Sequence, residues 1–235
     1  MVNDILFYVV VFISNSIQTI TGFAGTMLAM PLSIYLIGQE DARFILNTIA
    51  IIVSLWIVYK HKKSINLHVL KEILIFMGVG LLVGIYMKNH VDFQALLIGY
   101  GIVIILCALF NLSGRRLNLN NLSLKIILIL AGIIHGLFIS GGALLVIYAT
   151  ERLKEKVEFR STLSCVWVIL NIILLIELLL IGSINKSSVS LMLIACLPAI
   201  IGIFAGQKLQ EKINQKTFSI ITNILLIISG ISIII

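Results

Sequence analysis

Charge is scarce in this chain of 235 residues. Only 11% of them are Asp, Glu, Lys or Arg, less than half of the roughly 25% found in an average soluble domain. A chain so poor in charge cannot coat a soluble surface. Long apolar runs recur from end to end, each able to span a hydrocarbon core of about 30 Å. The runs are continuous rather than alternating, which argues against a β-barrel. No linker sets off a soluble domain. The reading is one all-α polytopic membrane domain over residues 1–235.

Other shortages narrow the function. Cysteine occurs three times, as Cys107, Cys165 and Cys196. All three lie in apolar runs without metal-ligand spacing, so they read as small buried hydrophobes and not as a disulfide framework. No Lys or Arg precedes the first apolar run, which follows Met1-Val2-Asn3-Asp4. It lacks the basic start of a secretory signal and reads as part of the mature chain. There is no G-x-x-x-x-G-K-[ST] stretch, so the chain itself is not an ATPase. No cluster of inward carboxylates offers itself to a divalent cation. Nothing calls for a metal or a cofactor. The net charge of +7 calls for no nucleic-acid partner, because the basic residues sit in short loops between spans.

The apolar segments cover about 5–37, 44–59, 69–87, 93–110, 122–149, 161–181, 187–206 and 217–235. Segments 5–37 and 122–149 are too long for one untilted span and are interrupted. The breaks fall at Ser14-Asn15-Ser16, at Thr21–Thr26, at His135-Gly136 and at Ser140-Gly141-Gly142. Loop charges test how they run. If both long segments are hairpins that return to the side they left, fourteen Lys and Arg fall on one side and three (Arg43, Lys88, Lys186) on the other. If each crosses once, the split is eight against nine. The positive-inside rule prefers the hairpins. Each half then holds one hairpin and three crossings, so the second half is inverted relative to the first, a recurring plan among secondary transporters. The halves are about 1–112 and 120–235, and both chain ends lie outside the cytoplasm.

The repeat shows in the residues. Gly22-Phe23-Ala24-Gly25-Thr26 aligns with Phe138-Ile139-Ser140-Gly141-Gly142, and Arg43 with Asn47 four residues on matches Arg160 with Ser164. These stretches resemble the TauE/SafE sulfite-exporter family. The first half of that family has Gly-Phe-Gly-Gly-Gly, a proline five residues on (here Pro31), then Arg and Thr-Asn. The second half has Gly-x-Gly-Gly-Gly, then Arg and Thr-Ser. The likeness covers nearly the whole chain. Ala24, Thr26, Phe138 and Ser140 replace glycines, Ile147 stands for proline, and Leu46 and Leu163 stand for threonine. The resemblance implies an inner-membrane, multi-pass secondary transporter that exports a small sulfur-containing anion such as sulfite or an organosulfonate. Its partners are that anion and the bilayer, and a homodimer is left open.

Small residues at a mid-membrane break let backbone N–H groups face a cavity, and a half-helix beginning there presents its positive end to an anion. Two such starts, near Gly25 and Gly141, give an expected anion site of Gly22, Gly25, Thr26, Ser140, Gly141 and Gly142, with Asn47 and Ser164 as added donors. The competing reading is close helix packing. Packing is the preferred reading for Gly80/Gly84 and Gly202/Gly206. Gln18, on one face with Ser14 and Thr21, and His135 in the second hairpin are gating or coupling candidates. So are Arg43 and Arg160, which open spans and serve either as mouths for anions or as interfacial anchors. Glu177 is the one acidic residue well inside a span. It either couples protons or lies near the interface, paired with Lys186. Asn171 and Asn223 read as interhelical hydrogen-bonding residues. The alternatives to sulfur-anion transport are another small anion, a metal cation, an inert scaffold and an intramembrane hydrolase using Ser140 and His135. A hydrolase would need its base on a neighbouring helix within hydrogen-bond reach of the serine.

Overall fold

The computed structural model describes residues 2–21, 23–114, 119–212 and 215–234. Among them there are helices and no strands: α1 (Val2–Thr21), α2 (Ala24–Ile37), α3 (Gln39–His61), α4 (Leu67–His90), α5 (Phe93–Leu112), α6 (Asn121–Phe138), α7 (Gly142–Arg152), α8 (Lys156–Leu180), α9 (Lys186–Lys212) and α10 (Gln215–Ile234). Helices α1, α3, α4, α6, α8 and α9 are long and apolar enough to cross a membrane, while α2 and residues 94–110 of α5 are shorter apolar stretches. Local chemistry starts several of them. Asn66, Asn120 and Asn185 each accept a hydrogen bond from the backbone N–H three residues on, which caps an orphan donor of the first turn. Within the spans, Ser16 and Thr48 donate to the carbonyl one turn back, so these hydroxyls are satisfied without water.

Both interrupted segments are hairpins. α1 ends before Phe23, and α2 folds back along it. A Cβ at Gly25 would lie 2.6 Å from the Ser14 carbonyl. The hollow lined by Val2, Tyr8, Ile37 and Asp41 shows that α1 begins and α2 ends at the same end of the bundle. Gly38, at φ 84°, turns the chain directly into α3. The second hairpin turns at Ile139, whose φ of 55° is left-handed. That conformation costs a β-branched residue about 1–3 kcal/mol and persists only where its surroundings hold it. Gly141 then meets the Ala131 carbonyl, where a Cβ would stand at 2.1 Å. Arg152 at the end of α7 bonds Asn121 at the start of α6. The two tips meet, with Gly142 against the Phe23 carbonyl.

Loop contacts sort the bundle into two ends. Ser64 and Asn66 bond Ser161, Thr162 and Glu158, and Lys60, Arg160 and Gln207 line one cleft. This is the basic end. At the far end Lys88 reaches Glu40 and Glu177, and Ser188 donates to Asp41.

Glycines set the closest helix pairs. In α4 and α6, Gly80 and Gly84 face the Ile129 and Ile133 carbonyls, and Gly132 and Gly136 face those of Met77 and Leu81. In α1 and α9, Gly202 and Gly206 face the carbonyls of Phe12 and Ser16. The packing reading of these glycines holds, because small residues let membrane helices approach this closely. A Cβ at Gly80 would lie 2.0 Å from a backbone oxygen, and a rigid helix cannot yield as a side chain would. Gly80→Ala is therefore expected to destabilise the protein by about 1–3 kcal/mol, the usual cost of overpacking. Gly78→Ala, with nothing within 4 Å, should be neutral or slightly stabilising. Thermal unfolding of the two variants in detergent checks this. Equal midpoints would mean that α4 and α6 do not touch here.

Candidate functional site

Helices α3 and α8 pack against each other through the middle of the bundle. They run antiparallel, since Arg43 meets Glu177 and Asn47 meets Asn171. At the far end this pair is sealed by charge. Arg43, fully buried at 0% exposure, donates through Nη2 to the Gly136 carbonyl at 3.1 Å and to Glu177 Oε2 at 3.3 Å. Lys88 holds the other carboxylate oxygen at 3.2 Å and Glu40 at 3.3 Å. Glu177 thus pairs with Arg43 and Lys88, not with Lys186. Arg43 is buried and is not an exposed mouth. Its Nε and Nη1 have no hydrogen-bond partner among the described residues.

A polar chain continues inward. Asn47 donates from Nδ2 to the Asn171 carbonyl at 2.9 Å. Asn171 Oδ1 lies 2.9 Å from Nε2 of the buried His135, a bond made when the imidazole proton is on Nε2. The His135 ring is 5.1 Å from that of Trp167. Asn171 is the interhelical residue its sequence position suggests. His135 turns towards Asn171, which leaves a Ser140–His135 hydrolytic pair without support. Ser140 is buried, and the Tyr100 hydroxyl approaches it without closing a well-formed hydrogen bond.

Trp167 also faces a cleft of about 570 Å³ that reaches the basic end. Gln18, Ser54 and Ser164 lie along it, with Arg160, Lys60, His61 and Gln207 towards the mouth. Its lining includes two cations and no carboxylate. A crevice of about 20 Å³ adjoins it, lined by Ser14, Gln18, Gly25, Thr26 and Ser54. The backbone N–H of Gly25 points to Gln18, whose Oε1 accepts it at 2.7 Å. The free N–H expected at this half-helix start is therefore occupied by a neighbouring amide oxygen.

The predicted residues fall into three groups. Gln18, Gly25, Thr26, Arg160 and Ser164 surround the cleft and its crevice. Arg43, Asn47, His135 and Glu177 form the sealed network. Ser140, Gly141 and Gly142 form the second tip, where Gly141 packs over Ala131 and His135 and Gly142 reaches Phe23. Gly22 lies outside the described residues, as does the side chain of Thr21. Sequence reasoning missed Lys60, Lys88, Ser54 and Trp167. One signal for Lys60 was present: seventeen residues separate Arg43 from Lys60 in α3, and seventeen separate Arg160 from Glu177 in α8.

A cleft among α1, α3, α8 and α9 with two cations and no carboxylate in its lining suits an anion, and comparison with known proteins bears on which. No curated protein and no solved structure matches the chain. A family model described as Sulfite exporter TauE/SafE matches residues 6–233, and the chain is a multi-pass membrane protein that belongs to this transporter family.

Proposed function

We propose that the protein is a secondary transporter that exports a small sulfur-containing anion, sulfite or an organosulfonate, across the inner membrane. The observation that carries this reading is the cleft, which runs from the basic end to the first broken helix and whose lining holds cations without carboxylates. Gln18, Gly25, Thr26, Ser164 and Arg160 contact the anion in this reading. Asn47, Ser140, Gly141 and Gly142 shape the central barrier, and Arg43, His135 and Glu177 serve gating or coupling. The basic end is cytoplasmic, and both termini are non-cytoplasmic.

The chain forms one domain of two inverted halves, about 1–112 and 120–235, with eight membrane segments if each hairpin counts once. The packing supports this. Exchanging α1–α5 for α6–α10 in order turns the α1·α9 contact into α6·α4 and α3·α9 into α8·α4, and leaves α3·α8, α5·α10 and α2·α7 as themselves. α1 approaches its tip from the far end, and α6 from the basic end. Inverted halves around a central site are the usual basis of alternating access.

The test is sulfite flux into and out of liposomes holding the purified protein, under imposed proton and potential gradients, with sulfate, thiosulfate, sulfoacetate and acetate as competitors. Saturable sulfite flux is expected, cut by about tenfold or more in Asn47→Ala and in Gly141→Leu. Wild-type protein that moves acetate and not sulfite would shift the substrate to carboxylates. Protein that moves none of them would overturn the reading.

A further inference from the structure

The two ends of the α3/α8 pair carry the same arrangement with one charge reversed. Each helix carries an arginine as its fifth residue, Arg43 or Arg160. The antiparallel register that sets Arg43 against Glu177 brings Arg160 and Lys60 to the corresponding places at the basic end, where both line the cleft. The far end therefore has a cation facing a carboxylate, which a second cation, Lys88, also holds. The basic end has a cation facing a cation. Neither Lys60 nor Arg160 makes an ion pair among the described residues, and the Arg160 Nε is buried without a hydrogen-bond partner. Glu158, two residues before Arg160 in α8, accepts from the Asn66 amide and makes no ion pair among the described residues. At the far end the α3/α8 seam is closed by this charged cluster, and at the basic end the seam borders the cleft. Like charges repel where opposite charges attract, so this charge pattern favours closure of the seam at the far end and separation at the basic end.

We propose that the transported oxyanion binds at the mouth of the cleft between Arg160 and Lys60, bridging two cations as the Glu177 carboxylate bridges Arg43 and Lys88, and that its presence allows this mouth to close. The inference rests on the anion-transport reading and deepens it. The ligand is a sulfonate-type or sulfate-type oxyanion, whose oxygens can accept two parallel bonds from a guanidinium while a third faces an ammonium. The empty mouth keeps its two cations apart and stays open. The filled mouth has the charge pattern of the shut end. Access would then be governed by the cargo itself, since a ligand shifts a conformational equilibrium only through its different affinity for the two states.

Cys196 lines the same cleft and serves as a reporter once Cys107 and Cys165 are replaced by Ala. Its modification by a membrane-impermeant iodoacetamide is measured from each face of oriented vesicles. The probes are methanesulfonate and sulfate, because sulfite would consume thiol reagents. In otherwise wild-type protein, either anion should slow modification from the basic face. Lys60→Glu supplies the missing carboxylate within the chain and should slow modification about tenfold or more with no anion present. Lys60→Gln should leave modification fast but abolish protection by anions. Lys60→Glu labelling as fast as wild type, or Lys60→Gln protected as well as wild type, would overturn the proposal. So would wild-type protein that neither anion protects. Sulfite flux is measured on the same preparations. Normal flux with unchanged labelling in both variants removes the mouth site and leaves the transport reading standing. Closure by Lys60→Glu in protein that carries no sulfite does the reverse.

Discussion

Glu177→Gln is expected to destabilise the protein by about 3–5 kcal/mol, the usual cost of removing one partner of a buried ion pair. Arg43 is wholly buried, and the Lys88 and Glu177 side chains are only 8% and 12% exposed. The Glu177 carboxylate gives one oxygen to each cation. Glutamine keeps the shape and one acceptor but removes the charge. It leaves two cations in a poorly hydrated site with only Glu40, which is 39% exposed, to offset them. The loss is not that of one bond, because Arg43 also ties α3 to the Gly136 carbonyl of α6. Four helices meet on this network. Pairing Glu177→Leu with Arg43→Leu should recover part of the loss, since apolar replacements of a whole buried pair are often neutral or better. Lys88 then keeps Glu40. Denaturant titration in detergent across the double-mutant cycle measures the coupling. A Glu177→Gln protein within about 1 kcal/mol of wild type would mean the site is wet and the pair contributes as little as a surface one.

That network also marks where reading the sequence reached its limit. The hairpins were legible because they rest on local facts: the length of an apolar run, small residues at its break, and basic residues in the loops beside it. The glycine pairs were legible for the same reason, since Gly80/Gly84 and Gly202/Gly206 carry their spacing within one helix. Glu177 was visible as a costly residue, but its partners were not. Arg43 lies 134 residues away, and only the antiparallel docking of α3 on α8 brings the two together. Lys186 was the nearer candidate in sequence, and it projects from the next helix. The cleft was hidden for a related reason. Lys60 and Arg160 each look like an ordinary loop cation in the sequence. They become a pair only once the register of two helices is known. The half-helix start at Gly25 was found, but its occupant was not, because the Gln18 side chain could as well have faced the cavity.

The occupancy of that start makes the last and sharpest expectation. Gln18→Glu should cut anion flux by about tenfold or more while leaving stability within about 1 kcal/mol of wild type. The Gln18 Oε1 accepts from the Gly25 N–H at 2.7 Å, at the beginning of α2. A helix start carries roughly half a positive charge, and hydrogen bonds to an ionised acceptor are about twice as strong as neutral ones. A carboxylate on the same stem therefore keeps the contact and strengthens it, which offsets much of its burial. It also holds a fixed negative charge beside the cleft, where a travelling anion must pass or bind, and the two repel. Gln18→Ala frees the Gly25 N–H but also removes one contact of the anion, so it should cost less flux than Gln18→Glu. A glutamate that takes up a proton resembles glutamine again, so flux in Gln18→Glu should recover as the pH is lowered. Gln18→Glu that carries sulfite as fast as wild type at alkaline pH would place the route away from the start of α2, and the glycine there would be a packing residue like those of α4 and α6.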